Sequence, residues 1–368
     1  MRTFRSVKNR KGSVLPLVAL MLFVLLGFTA LAVDAGSLYL DRREMALAAD
    51  AGALAGAKEL ADSNGINDVK AEEIAVKVSE INGADIGEVV AEVKDVSGRE
   101  VIEVTVNKTK SSFFARIFGI DNTTVVARSV ATWGYPKSIT SGDILPLFVL
   151  EDYYNSNEIV VLHAFKDISE SNYGTLRLGG SGGGASDLKD YLGRDKYFTG
   201  TLTTETLLSG EPGGNQSLSQ GIESRMDKAN LIPGINELDK LARKRIMTGI
   251  VPVVNYDKLY KNADGKLNGF LEKLIPVEYF AVFEIYDVVD NKEKGSSKQL
   301  YKTPNYLSDG SKENYKGKDY DDGAVLGKFT GGTFDIVVNV VPGDQTPPGD
   351  DSIAVKYFKL IDADYIGD

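Results

Sequence analysis

A run of 21 residues without a charged side chain, Ser13 to Val33, dominates the hydrophobic pattern at the start of the chain. At about 1.5 Å per residue, a helix of this length is roughly 30 Å long and can cross the hydrocarbon core of a bilayer. Asp34 follows the run, and five basic residues precede it: Arg2, Arg5, Lys8, Arg10 and Lys11. Positive flanks stay in the cytoplasm. The pattern therefore predicts a cytoplasmic segment over residues 1–12, a transmembrane helix over 13–33 and export of the remainder.

A cleavable signal peptide is the first alternative to an uncleaved anchor. Its apolar core usually has about 7–15 residues and is followed by small residues at a cleavage site. Ala30 and Ala32 fit the second part of that pattern, but the apolar run is too long for the first part. We therefore expect a single-pass protein of the plasma membrane with a cytoplasmic N-terminus and an extracytoplasmic C-terminal domain.

The helical pattern continues beyond the apolar run, because residues 38–62 are mostly good helix formers and Gly65 is the first plausible stop. Leu40, Leu47 and Leu54 recur every seven residues and form a narrow apolar stripe. The opposite face carries six small residues: Ala48, Ala49, Gly52, Ala53, Gly56 and Ala57. Small residues at this spacing allow another backbone to come close. The helix either packs one face on its own domain only, or also packs the small face on partner helices. Its two unlike faces favour partner-helix packing.

A compact α/β pattern follows. Residues 68–81 have apolar positions at helical spacing, residues 89–96 and 101–106 alternate apolar and polar positions, and Ser97-Gly98-Arg99 between them is a hairpin signal. Residues 113–119 are typical of a short helical turn, and residues 123–133 of a β-branched strand. Residues 34–135 are therefore expected to form a helix packed on an antiparallel sheet.

Residues 134–142 contain Pro and several small polar residues, which indicates a domain boundary. Residues 143–368 are strand-rich, so the predicted fold is α+β: a transmembrane helix that continues into an Ala-rich helix, a small helix-on-sheet domain, and a β-rich exported domain. The strands are expected at 145–150, 159–165, 248–254, 277–289, 334–341 and 353–360. The helices are expected at 185–192, 218–227 and 235–245.

Composition narrows the function classes. The net charge is −10, and without the five basic residues of the cytoplasmic segment the exported part carries −15. Such a surface repels nucleic acid. The chain contains no Cys, so it has no disulfide, no thiolate nucleophile and no Cys-ligated zinc. His163 is the one histidine, and its alternation with Leu162 and Ala164 is typical of a structural strand residue. We therefore expect a protein without enzymatic activity or a cofactor, and paired carboxylates, whose spacing is set by the fold and not by the sequence, are the catalytic alternative that stays open.

The start of the exported part resembles the N-terminal domain of TadG-like proteins of the tight-adherence (Tad, or Flp) pilus system. That pattern is a membrane run, Val-Asp-x-Gly, Leu-Tyr and an Ala-rich helix with Ala-Ala-Asp-Ala. The matching residues are Val33, Asp34, Gly36, Leu38, Tyr39, Ala48, Ala49, Asp50 and Ala51. Residues 101–132 are similar to the segment that follows in this family, and residues 145–146 and 212–225 are similar more loosely. The resemblance implies an accessory membrane component of pilus assembly or secretion without catalytic residues.

This resemblance makes other pilus-assembly proteins or pilin helices the expected partners, with homo- or hetero-oligomers as an option. Prepilin-type processing after Gly12 would require a Glu five residues on, where the chain has Leu17. We therefore predict that the basic segment is retained. A surface-exposed adhesion or ligand-binding module on the same anchor is the alternative function.

Asp167, Ser169 and Ser171 spell Asp-x-Ser-x-Ser, the pattern of the metal-ion-dependent adhesion site that some TadG-like proteins carry. In that site the loop leads into a helix, whereas here it leads toward a Gly-rich stretch, so we favour an ordinary Asp/Ser turn. The stretch 179–184 is not followed by the Lys-Ser/Thr of a phosphate loop, so we reject that motif. The stretch 260–271 resembles a calcium loop in spacing, but Tyr260 and Leu271 occupy its first and last ligand positions, so we reject that motif too. The acidic cluster 319–323 could bind calcium weakly, but its composition favours a solvated acidic turn.

Overall fold

Helix α1 spans Val14–Ser63 without a break. The computed structural model describes residues 14–150, 159–162, 173–176, 178, 185–204, 207–209, 215–254, 274–288, 324–333, 339–342, 345–346 and 354–362. At about 1.5 Å per residue, the 50 residues of α1 make a helix roughly 75 Å long. The apolar run and the Ala-rich stretch therefore form one rod. Among the described residues, α1 is the one helix with the length and composition of a membrane span.

The chain forms two compact units, Met1–Thr132 with Lys359–Asp368, and Trp133–Phe358. In the first unit, α1 ends where Asn64 and Gly65 adopt positive φ and the Gly65 N–H donates to Leu60 O at 2.8 Å. Helix α2 (Asp68–Ile81) then runs back along α1, because Lys70 pairs with Glu59 while Ser79 lies beside Gly52.

Three antiparallel strands complete the first unit beside these helices: β1 (Val89–Val96), β2 (Arg99–Ser111) and β3 (Asn122–Gly134). Ser97 and Gly98 join β1 to β2 with positive φ at both residues, as a tight hairpin turn requires. A 3-10 helix, Ala115–Phe118, lies between β2 and β3. The predicted helix-on-sheet arrangement is present, which confirms the α+β class.

The second unit is built from helices α3 (Ala185–Leu192), α4 (Asn215–Asn230) and α5 (Glu237–Met247) and many short strands. Its strands are β4 Pro136–Gly142, β5 Leu147–Leu150, β6 Ile159–Leu162, β7 Tyr173–Thr175, β8 Phe198–Thr203, β9 Leu207–Ser209, β10 Thr248–Val254, β11 Leu274–Pro276, β12 Tyr279–Val288, β13 Val325–Phe329, β14 Gly332–Thr333 and β15 Asn339–Pro342. The last described strand is β16, Val355–Ile361.

Within the described part of the chain, one sheet of the second unit has the order β6-β13-β12-β10-β5-β7 and a smaller one the order β15-β4-β8. The β10–β5 pair is parallel, and the other pairs of the large sheet are antiparallel. A buried apolar cluster that includes Ile139, Phe148, Ile250 and Phe280 forms the core. A domain boundary was expected at residues 134–142, and most of this segment forms strand β4. Strand β4 pairs with both β15 and β8, and its Ile139 is buried.

Candidate functional site at the exit of the membrane helix

One face of α1 beyond the apolar run is buried against its own unit. Its buried residues recur every three or four positions, as expected for a single helical face. They are Asp34, Asp41, Met45, Ala48, Ala49, Gly52, Ala53, Gly56, Ala57, Leu60 and Ala61. Helix α2 and strand β2 pack against this part of α1. Near the apolar run the buried residues of this face are the acids Asp34 and Asp41, and from Ala48 onwards most of them are Ala or Gly.

The small residues of this face allow α2 and β2 to approach closely. A Cβ added at Gly52 would lie 2.1 Å from Ser79 Oγ and 2.7 Å from the backbone oxygen of Ala75. A Cβ added at Gly56 would lie 2.3 Å from Ile102 Cδ1. The six residues assigned to partner-helix packing (Ala48, Ala49, Gly52, Ala53, Gly56 and Ala57) are thus buried within the chain. In the described structure this small face packs on α2 and β2 of the same chain, which is the first of the two alternatives given for this helix.

Charged pairs replace apolar packing nearer the membrane run. Asp41 accepts a hydrogen bond from Lys110 Nζ at 2.5 Å and lies 3.6 Å from Lys108 Nζ. Glu44 lies 3.4 Å from the same Lys108 nitrogen. Burial alone would lower the pKa of Lys108, but Glu44 and Asp41 outweigh that effect and raise it above 10.5. These pairs join α1 to the end of β2 that leads toward the 3-10 helix.

Asp34, the first residue after the apolar run, binds the segment between β2 and β3. Its two carboxylate oxygens accept hydrogen bonds from the backbone N–H groups of Phe113 at 3.1 Å, Phe114 at 3.0 Å and Ala115 at 2.7 Å. Burial alone would raise the pKa of Asp34, but these donors outweigh it and hold the pKa below 3.8. The carboxylate therefore stays charged near neutral pH and binds the N–H of Ala115, the first residue of the 3-10 helix, and those of the two residues before it.

The Asp of the Val-Asp-x-Gly motif thus has a structural role that its sequence neighbours do not reveal. Its three donors lie 79 to 81 residues further along the chain. Asp50, from the second motif, makes a related contact, since Ser129 Oγ donates to its carboxylate at 2.6 Å. Both acids of the family pattern bind the chain's own β2–β3 region. By contrast, a Cβ added at Gly36 would meet no atom within 4 Å.

The opposite face of α1 is open. Tyr39, Leu40 and Leu47 are exposed, and Leu54 is partly buried. The apolar side chains of the run before Asp34 are exposed as well. The exposed part of the leucine stripe reaches Leu47, about three and a half helical turns beyond Asp34. The small face is buried against the chain's own first unit, whereas Leu40 and Leu47 of the leucine stripe are exposed.

Buried charges in the second unit are explained by their contacts. Arg225 is fully buried, pairs with Asp143, and donates to the backbone oxygens of Ile246 at 2.5 Å and Leu192 at 3.2 Å. Arg194 Nε lies 3.0 Å from the same Asp143 carboxylate. This network connects the C-terminal ends of α3 and α5 with the chain before β5, a structural role that needs no substrate.

Glu284 on β12 is a buried acid of the second unit. Burial raises its pKa above 4.5, and the positive charges of Lys244 and Lys328 offset only part of that effect. Lys244 Nζ is 3.8 Å from its carboxylate. In the part of the chain that the structure describes, no group of three or more His, Asp or Glu side chains could hold a metal ion.

Several sequence candidates lie outside the described residues. They are Asp167, Ser169 and Ser171, His163, and the stretches 179–184, 260–271 and 319–323. Their assignments remain predictions.

Comparison with known families agrees with the geometry of α1. Residues 12–59 match the family model for TadE/G-like proteins of Flp pilus assembly. The match covers the apolar run and most of the Ala-rich stretch, and it confirms the resemblance to a TadG-like N-terminal domain over these residues. The similarity noted beyond residue 59 stays a prediction. No curated protein and no solved structure is similar enough to the chain to count as a match.

Proposed function

We propose that the protein is a membrane-anchored structural or accessory component of a Tad (Flp)-type pilus assembly or secretion apparatus, and that it acts through protein–protein contacts. The observation that carries this proposal is the family match at residues 12–59, which falls on one continuous helix whose membrane half is fully exposed. A role of this kind requires no catalytic residue.

The proposed topology places the N-terminus in the cytoplasm and residues 34–368 outside the plasma membrane. The five basic residues before Ser13 support it, because such flanks are retained on the cytoplasmic side. Protease added to intact, wall-stripped cells should then remove nearly all of the chain and leave the span with its basic segment. Full protection of the C-terminus from the protease would contradict the proposed orientation.

The proposed contact surface is the leucine stripe, Leu40, Leu47 and Leu54, with Tyr39 beside it. We expect its occupant to be another membrane-anchored helix of the apparatus. Such a helix, running parallel to α1, could cover the exposed span and the stripe together because both lie on one unbroken helix. Burying one leucine side chain contributes about 1.5–3 kcal/mol, so two or three leucines suffice to favour an aligned helix pair.

Site-specific photocrosslinking tests this surface in cells. A photoreactive amino acid at Leu47 should give an adduct with a pilus-assembly protein that carries its own N-terminal span, or with a second copy of this chain. The matched control is the same probe at Ile66, which is also apolar and exposed but lies beyond the end of α1. The contact proposal fails if Leu47 gives no adduct beyond that of Ile66. An adduct with a soluble surface ligand would favour the adhesion alternative.

A further inference from the structure

The hairpin formed by β2 and β3 extends beyond the strand that flanks it. Strand β1 pairs with β2 only as far as Val106, whereas β2 and β3 remain paired from Val106 to Ser111. The connection between them, residues 112–121, forms the hairpin tip and contains the 3-10 helix. Because Asp34 accepts hydrogen bonds from this tip, the tip lies at the level where the apolar run of α1 ends.

The hairpin tip exposes large apolar side chains. The exposed fractions are 61% for Phe113, 41% for Phe114, 76% for Ile117 and 52% for Ile120. Four such side chains within eight residues form a patch of the kind that marks a membrane or protein contact.

We propose that the hairpin tip, residues 112–121, is a second membrane-contact element that inserts Phe113, Phe114, Ile117 and Ile120 into the leaflet through which α1 emerges. The proposal rests on the membrane anchoring described above. Asp34 fixes the tip beside the end of the apolar run, so its apolar patch lies at the level where the proposed span leaves the bilayer. A protein partner would have to reach this patch at the bilayer surface.

The polar groups of the tip fit an interfacial position. Arg116 is exposed beside the apolar side chains, and its Nε donates to Ser112 O at 3.2 Å. A basic side chain at this depth meets the phosphates of lipid headgroups, and each such residue near an anionic surface contributes favourably to binding. Aromatic and large apolar side chains with a flanking basic residue are the composition of interfacial anchors. Asp121 closes the tip through its backbone oxygen, which accepts from the Ser112 N–H at 3.0 Å.

The absence of Cys from the chain makes depth measurement direct, because one introduced thiol carries one label. The full chain with Ile117→Cys, labelled with an environment-sensitive fluorophore, is reconstituted into vesicles of phosphatidylcholine and phosphatidylglycerol. Quenching is measured with lipids that carry a nitroxide at the headgroup or deep in the acyl chain. Leu26→Cys in the span is the positive control, and Ile66→Cys at the far end of α1 is the solvent control.

We expect the Ile117 label to show blue-shifted emission and to be quenched more by headgroup-level than by deep nitroxides, while the Ile66 label is quenched by neither. Ile120→Cys should repeat the result if labelling at Ile117 disturbs the tip. An Ile117 label that behaves like the Ile66 label overturns the proposal. A label shielded from water in both vesicles and detergent, without lipid quenching, would show that protein covers the tip. If the Leu26 label is also unquenched, the anchor itself fails, which separates the two failures.

Discussion

Replacing Gly52 by Ala tests how closely α2 approaches α1. The added Cβ would lie 2.1 Å from Ser79 Oγ and 2.7 Å from the backbone oxygen of Ala75, both shorter than real contacts of a Cβ. Ser79 can rotate, but the Ala75 oxygen moves only if α2 shifts. Overpacking of this kind costs roughly 1–3 kcal/mol. Against it, Ala in a helix interior is favoured over Gly by about 1 kcal/mol.

Gly36→Ala in the same helix is the matched control. A Cβ there meets nothing within 4 Å, so this variant shows the propensity gain alone and should be stabilised by about 1 kcal/mol. The difference between the two variants isolates the packing cost, which we expect to be about 1–3 kcal/mol in favour of Gly36→Ala. Urea unfolding of the full chain in detergent micelles, followed by far-UV circular dichroism, measures the free energy of unfolding of each variant.

Equal stability of Gly52→Ala and Gly36→Ala would refute the close approach. Ser79→Ala sharpens the test, because Ser79 Oγ is buried without a hydrogen-bond partner among the described residues. Removing it eliminates the shortest contact but not the one to the Ala75 oxygen. Gly52→Ala should therefore remain destabilising relative to Gly36→Ala in the Ser79→Ala background, though by less.

Asp34→Ala should speed hydrogen exchange at the amides of residues 113–115 and leave β2 protected; unchanged exchange would mean that the carboxylate does not hold the hairpin tip. Asp143→Ala should destabilise the second unit by about 3–5 kcal/mol, measured by the fluorescence of the single tryptophan, because it leaves Arg225 buried without a counter-charge. Because burial raises the pKa of Glu284 above 4.5, the folded state holds this proton more tightly than the unfolded chain. The free energy of unfolding should fall as pH rises from 4.5 through the raised pKa, and Glu284→Gln should be more stable than wild type at pH 7 and flatten this dependence.

The continuity of α1 could be predicted because Ala and Leu favour helix on both sides of Asp34, and the tight hairpin could be predicted from Ser97-Gly98. The sequence could not predict which chain covers the small face of α1. A row of small residues accepts a helix of the same chain as readily as one from another chain, and the sequence does not state that α2 is near. The role of Asp34 was hidden for the same reason, since its donors are remote along the chain.

In the second unit, the signals that were strong in sequence match the structure closely. Helix α3 has the predicted bounds, and β10 is the predicted β-branched run. The short strands β9 and β14, with three and two residues, have too few positions for an alternating pattern to appear. Strand β4 was missed because Pro136 and Gly142, which are typical of loops, stand at its two ends, where they interrupt no central pairing.

The unbroken passage of α1 from the apolar run into the first unit has a mechanical consequence. A flexible linker would let a domain move independently of its anchor. Helix α1 instead has no break between Val14 and Ser63. Asp34, Asp41 and Gly52 contact the rest of the first unit at successive positions along this helix. Pulling, rotating or displacing the helix along its axis must therefore move the first unit by the same amount. Advancing the span by one helical turn would lift the unit by about 5.4 Å. In the proposed topology, a force applied to the first unit is therefore transmitted along α1 to its membrane span.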